Sequence, residues 1–105
     1  MAAAPVRVGI LGASGYGGAG LLERLARHPH AQVVALGSRQ YAGQGVDACW
    51  PHLAGLFPDL VFVSEDEVIA ASDVVFCATP HGATAPLVRK ALDAGRSVVD
   101  LSADF

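Results

Sequence analysis

The sequence predicts an α/β protein, a single domain over residues 1–105 with a doubly wound, mostly parallel sheet of five strands. Short apolar runs rich in β-branched residues alternate along the chain with segments of helical period. That alternation is typical of a parallel sheet covered by helices on both faces. Hydrophobic residues make up 52% of the chain and charged residues 16%, a balance that suits strands buried on both sides. Right-handed crossovers between such strands then produce a doubly wound sheet.

The first half of the chain contains two predicted strands and one helix. Val6–Leu11 is apolar and β-branched and predicts a buried strand, followed by a glycine-rich turn. A helix comes next and ends before Pro29, with one face formed by Gly18, Leu21, Leu22 and Leu25. Gln32–Leu36 predicts the second strand. Residues 38–59 show no clear period and are predicted to be irregular, with Cys49 in a loop and Trp50 as a packing anchor.

The second half predicts three further strands and two helices. Leu60–Val63 is the third strand, and Ser64 with Glu67 fits a capping box for a helix that continues to Ala71. The fourth strand is Val74–Ala78 and the fifth is Ser97–Leu101. Between them we predict a helix over residues 84–94 that stops at Gly95, with inward residues Leu87, Val88, Ala91 and Leu92.

Composition argues against several kinds of partner. The net charge is -3 and Lys90 is the one lysine, so we expect no nucleic-acid binding. Because no apolar run approaches the ~18 residues of a membrane span, we expect no membrane insertion. Two cysteines do not suggest a disulfide framework and favour a reducing cytoplasm. His28 and His30 flank a proline without a cysteine or carboxylate cluster, so no metal site is predicted.

The glycine-rich turn is the clearest functional signal. It follows a strand and opens a helix, and its glycines have the spacing G-x-x-G-x-x-G. Gly12 would permit the tight turn, Gly15 a close approach of the backbone to a pyrophosphate, and Gly18 close packing of the helix on the sheet. The helix N-terminus would then face the phosphates. This pattern predicts a Rossmann-like dinucleotide site whose contacts come from Gly12, Ser14, Gly15, Tyr16, Gly17 and Gly18.

The end of the second strand bears on which dinucleotide binds. NAD-binding sites carry an acidic residue about 20 residues after the glycine turn, where it accepts a hydrogen bond from the ribose 2′-hydroxyl. This chain has Ser38 and Arg39 there instead. Both can donate to a 2′-phosphate, and Arg39 can also stack on adenine. The sequence therefore predicts NADP(H) as the cofactor.

Several motifs together resemble N-acetyl-gamma-glutamyl-phosphate reductase of arginine biosynthesis. They are GASGYGG in the first turn, LLERLARHP, SRQYAG, the PHG after the fourth strand and the closing DLSADF. The resemblance covers the whole chain. It implies a cytoplasmic oxidoreductase that reduces a small-molecule acyl phosphate to an aldehyde with NADPH and that is a homo-oligomer at full length. It also implies that the turn Thr79, Pro80, His81 and Gly82 lies beside the nicotinamide, where we expect no proton transfer by His81.

In the family that it resembles, the nucleophilic cysteine lies well beyond DLSADF. The resemblance therefore implies that this chain is the amino-terminal, cofactor-binding piece of a longer enzyme, with no catalytic residue and no activity alone. Cys77 lies within an apolar strand, where burial raises a thiol pKa, and is predicted to be a small core residue. Two alternatives remain open: a lysine-biosynthetic aminoadipate-phosphate reductase, and a non-catalytic nucleotide-binding module if the protein is naturally this short.

Overall fold

A computed structural model of the chain describes residues 4–12, 16–38, 40–53, 55, 57, 60–78 and 84–101. Its strands are β1 (Val6–Leu11), β2 (Ala31–Gly37), β3 (Phe62–Val63), β4 (Val74–Cys77) and β5 (Ser97–Asp100). Its helices are α1 (Tyr16–Ala26), α2 (Val46–Cys49), α3 (Glu65–Ala71) and α4 (Thr84–Asp93), with a 3₁₀ turn at Pro51–Leu53. The five strands and helices α1, α3 and α4 follow the predicted order, whereas α2 and the 3₁₀ turn were not predicted.

The five strands form one sheet in the order β3-β2-β1-β4-β5, and every neighbouring pair is parallel. The chain first moves outward from β1 to β2 and β3, and then returns past β1 to build β4 and β5. The direction of winding thus reverses between β1 and β4. This topology confirms the predicted doubly wound parallel sheet.

Each face of the sheet has its own apolar core, as a sheet covered on both sides requires. The first core joins α1 and the segment after β2 to the sheet, through Val8, Ile10, Leu22, Val33, Leu36, Val46, Leu53 and Phe62. The second joins α3 and α4 to the opposite face, through Leu11, Ala35, Val68, Ile69, Val75, Cys77, Leu87 and Ala91. Burial on both faces explains why the carboxyl-terminal halves of β1 and β2 are apolar at successive positions rather than at alternating ones.

Strand β1 packs against α3 at a point where a side chain would not fit. A Cβ placed on Gly9 would lie 2.0 Å from Ser72 Oγ and 2.7 Å from Val68 Cγ1. Ser72 is itself buried, and its hydroxyl donates a 2.6 Å hydrogen bond to the Val68 carbonyl. Gly9 therefore sets how closely helix and strand approach, a role that strand periodicity alone does not indicate.

Within residues 38–59, the described part of the chain contains more regular structure than predicted. It contains α2 and the 3₁₀ turn, and it buries Val46 and Leu53 to 1% and 2% exposure. An element of three or four residues completes about one turn, which is too short to show a helical period in the sequence. Trp50 packs against the first core as predicted. The prediction that Cys49 lies in a loop was wrong, because it ends α2.

Helix α4 buries Leu87 and Ala91, but Leu92 is 53% exposed and was wrongly assigned to the inward face. Leu92 lies about 100° around the helix from Ala91, beyond the stripe that contacts the sheet. Gly95 ends the helix as predicted, with φ +81°. The Arg96 and Gly95 N–H groups donate to the Ala91 and Leu92 carbonyls, both at 3.0 Å, which is the Schellman arrangement.

Helix α3 begins at the predicted cap. The Glu67 N–H donates to Ser64 Oγ at 3.2 Å, and the Ser64 hydroxyl also lies 3.2 Å from Glu67 Oε1. The strand before it is shorter than predicted, because β3 pairs with β2 only at Phe62 and Val63. Val61 instead forms an antiparallel bridge with Gly45. These contacts attach the segment after β2 to β3.

Candidate functional site

The carboxyl ends of β1, β2 and β4 meet at one edge of the sheet. The edge continues past the strands, since the Ala78 N–H donates to the Leu11 carbonyl at 2.9 Å. Because β1 and β4 are neighbours whose connections leave in opposite directions, this edge contains the topological switch point at which open α/β sheets bind ligands. The predicted site residues near Gly12 and Ser38 follow β1 and β2 at this edge.

The turn after β1 begins with Gly12 at φ +72°. Residues with a Cβ rarely adopt this left-handed conformation, so the structure explains why glycine follows the strand directly. Helix α1 starts at Tyr16, includes Gly17 and Gly18 in its first turn, and has no acidic residue there. Its unpaired N–H groups and positive dipole end favour an anion at this position. Ser14 and Gly15 lie outside the described residues.

The turn after β2 holds Ser38 in a buried position, with 6% of its surface exposed. The Tyr41 backbone N–H donates to Ser38 Oγ at 3.3 Å. Beyond it, the Gly43 N–H donates to the Phe62 carbonyl at 2.7 Å, and the Phe62 N–H donates to the Gln44 carbonyl at 2.8 Å. The turn is therefore tied to β3. Arg39 lies outside the described residues.

A groove of about 570 Å³ opens between this turn and the start of α3. Ser38 and Gly43 line one side, and Ser64, Glu65 and Glu67 line the other. The two glutamates come from far along the chain, and parallel pairing of β2 with β3 brings them beside Ser38. Sequence reasoning considered acidic residues only at the end of β2 and missed this pair. The carboxylates of Glu65 and Glu67 would repel an anion from the α3 side of the groove.

Neither cysteine is prepared for nucleophilic attack. Cys77 is fully buried at the end of β4, and this burial, with a smaller contribution from the Asp100 carboxylate, raises its thiol pKa from 9.0 to about 11. The predicted role of Cys77 as a core residue is confirmed. Burial also raises the pKa of Cys49, while a side-chain hydrogen bond with Tyr41 lowers it by less. Thiolates are the reactive form, so both thiols are in environments that suppress reactivity.

The remaining predictions concern His28 and His30, metal binding, membrane spans and the turn after β4. The His30 N–H donates to His28 Nδ1 at 3.0 Å, so this ring nitrogen already has a partner. Within the described part of the chain, no three histidine, cysteine or acidic side chains come together in a group that could hold a metal ion. None of the helices in those same ranges is both long and apolar enough to cross a membrane. Thr79, Pro80, His81 and Gly82 lie outside the described residues, between β4 and α4.

The chain is similar to known proteins over nearly its whole length. The family model for the semialdehyde dehydrogenase NAD-binding domain matches residues 7–105. The N-acetyl-gamma-glutamyl-phosphate reductase of Ectopseudomonas mendocina is 48% identical over 95% of this chain and 29% of its own length. The enzyme of the same name from Thermus thermophilus is 46% identical over 93% of this chain and 28% of its own. The chain thus spans less than a third of the length of these relatives.

Among solved structures, aspartate semialdehyde dehydrogenase with NADP from Candida albicans superposes with a TM-score of 0.85. The match covers 96% of this chain and 30% of that one, at 24% identity. At this identity the likeness establishes the fold alone.

Proposed function

Since the chain belongs to the semialdehyde dehydrogenase NAD-binding domain family, we propose that it is the NADP(H)-binding part of an N-acetyl-gamma-glutamyl-phosphate reductase. The observation that carries this proposal is the identity of 46–48% with reductases of that name over nearly the whole chain. We further propose that the complete protein acts in the cytoplasm as a homo-oligomer. Its substrate would be the small-molecule acyl phosphate that those relatives are named for.

The described residues fit a dinucleotide. Gly12 provides the left-handed turn, and the first N–H groups of α1, a helix with no acidic residue in its first turn, would donate to the pyrophosphate. Ser38, with Arg39, would hold the 2′-phosphate, and the turn of Thr79, Pro80, His81 and Gly82 would adjoin the nicotinamide. NADPH supplies the hydride when it is bound. The chain itself would bind and orient the cofactor.

Titration of both cofactors tests the proposal. One hydrogen bond to a charged group is worth on the order of 1.5–3 kcal/mol, so we expect the chain to bind NADPH about ten- to a hundredfold more tightly than NADH. Ser38→Asp should reverse the preference, because the carboxylate repels the 2′-phosphate and accepts from the 2′-hydroxyl. NADPH fluorescence and calorimetry measure both affinities.

Ser97→Asp is the matched control. Ser97 is exposed at the start of β5, at the opposite edge of the sheet, so the same added charge there should leave the preference unchanged. Equal affinities for the two cofactors in the unaltered chain would contradict the proposed cofactor choice. An equal effect of both substitutions would show that the aspartate acts through net charge rather than through the site.

We also propose that this chain alone does not reduce an acyl phosphate. A pKa of about 11 leaves only on the order of one Cys77 in ten thousand as thiolate at pH 7. NADPH absorbance should therefore stay constant when the chain is mixed with N-acetyl-gamma-glutamyl phosphate. Turnover that disappears in Cys77→Ser would overturn this expectation.

A further inference from the structure

Tyr41 is attached to its surroundings at three points. Its backbone N–H donates to Ser38 Oγ at 3.3 Å. Its ring lies 5.8 Å from the ring of Phe62, which is fully buried in the first core. Its side chain also hydrogen-bonds to Cys49, at the end of α2. One residue thus connects the buried Ser38 hydroxyl to β3 and to the segment that follows the turn.

We propose that Tyr41 is a positioning residue for cofactor selection, which holds Ser38 Oγ in the orientation that contacts the 2′-phosphate of NADP(H). The inference rests on the proposed function and adds to it, because it assigns the selectivity of the turn to a side chain that does not itself touch the phosphate. The packed ring and the bond to Cys49 fix the Tyr41 backbone, and the Tyr41 N–H in turn fixes the serine oxygen.

The cofactor pair itself separates a positioning role from a merely structural one. NADP(H) and NAD(H) differ only in the 2′-phosphate, and the N–H groups at the α1 N-terminus would bind the pyrophosphate of both in the same way. Loss of stability lowers both affinities by the same factor, because it reduces the folded fraction that either cofactor can bind. A displaced Ser38 hydroxyl weakens NADP(H) binding alone. The ratio of the two dissociation constants is therefore the diagnostic quantity.

Two substitutions remove the attachments separately. Tyr41→Leu eliminates the ring contact and the hydroxyl, and should lower the NADPH preference about tenfold, the worth of one hydrogen bond to a charged group. Tyr41→Phe keeps the ring against Phe62 and should fold normally, with a loss of roughly threefold. Cys49→Ala removes the partner of the Tyr41 hydroxyl and should lower the NADPH preference by the same factor as Tyr41→Phe.

A double-mutant cycle tests whether Tyr41 acts through Ser38. Ser38→Ala should lower the NADPH preference, and adding Tyr41→Leu or Tyr41→Phe to Ser38→Ala should lower it no further. Leu53→Ala is the stability control: Leu53 is 2% exposed in the same core, so its loss should weaken both cofactors equally. All affinities are measured on the full chain by titration with NADPH and NADH.

The outcomes separate the inference from the function on which it rests. If the unaltered chain does not prefer NADPH, the proposed cofactor choice is wrong and the inference falls with it. If the chain prefers NADPH but Tyr41→Phe and Tyr41→Leu keep that preference, only the inference is refuted. Additive effects of Tyr41 and Ser38 substitutions would also refute it, since they would show that Tyr41 acts independently.

Discussion

Replacing Gly9 with alanine should destabilise the domain severely. The added Cβ would meet Ser72 Oγ at 2.0 Å and Val68 Cγ1 at 2.7 Å, and both residues are buried. Overpacking of this kind costs typically about 1–3 kcal/mol. Displacing Ser72 also disturbs its buried hydrogen bond to the Val68 carbonyl, which adds roughly 1–3 kcal/mol. We expect a total loss on the order of 2–6 kcal/mol, a large part of the stability of a small domain.

Urea unfolding followed by the fluorescence of Trp50, the single tryptophan, measures this loss. Gly20→Ala is the matched control, because the same methyl group meets nothing within 4 Å there and lies within helix α1. Alanine is favoured over glycine in a helix by roughly 0.5–1 kcal/mol, so Gly20→Ala should stabilise the chain. The same chemical change thus has opposite expected signs at the two positions.

Partial rescue tests the steric reasoning directly. Ser72→Ala removes the nearest atom and Val68→Ala the next, so each should recover part of the stability lost in Gly9→Ala. If Gly9→Ala unfolds at the same urea concentration as the unaltered chain, β1 and α3 are not packed as closely as described. If it destabilises but neither second substitution helps, the cause is not the contact with α3.

Three further predictions concern other parts of the fold. The pKa of the Cys77 thiol is about 11 in the folded chain, above its ordinary value of 9.0. The stability that the neutral buried thiol contributes is therefore complete below pH 9. It is lost as the pH rises towards 11, where the free energy of unfolding falls by about 1.4 kcal/mol per pH unit. Urea unfolding at pH 8 and pH 10.5 should show this loss in the unaltered chain but less of it in Cys77→Ala, and identical pH dependence would contradict the assignment. Gly95→Ala should destabilise the chain by about 1–2 kcal/mol through backbone strain alone, because φ is +81° at this position and a Cβ there would meet no other atom within 4 Å. Thermal unfolding measures this loss, and an unchanged melting temperature would mean that α4 does not end in this conformation. Val99 is 39% exposed on β5, which is an edge strand of the sheet. Exposed edge strands pair with other chains, so the chain should associate as its concentration rises, and Val99→Lys should reduce this association. Light scattering that shows a monomer for both the unaltered chain and Val99→Lys would refute this prediction.

The sequence was sufficient to predict the order of the five strands and of the three longer helices. β1 and the glycine stretch after it can be identified because an apolar β-branched run and a change to helical period are local properties. The helix caps at Ser64 and Gly95 are local as well, since a cap depends on residues within one turn. The parallel arrangement follows from the alternation of strand and helix, which leaves crossovers as the available connection.

Tertiary structure decided the features that depend on residues distant in sequence. The need for glycine at position 9 arises from Val68 on α3 and from Ser72, which caps the C-terminus of that helix. Glu65 and Glu67 reach the groove beside Ser38 only because β3 pairs with β2, and Tyr41 meets Phe62 for the same reason. Leu92 has the apolar character of an inward residue, yet the width of the α4 contact leaves it exposed. The period of apolar residues indicates which face of a helix or strand can be buried. Contacts between helices and strands determine which residues of that face are buried and which side chains lie together in a site.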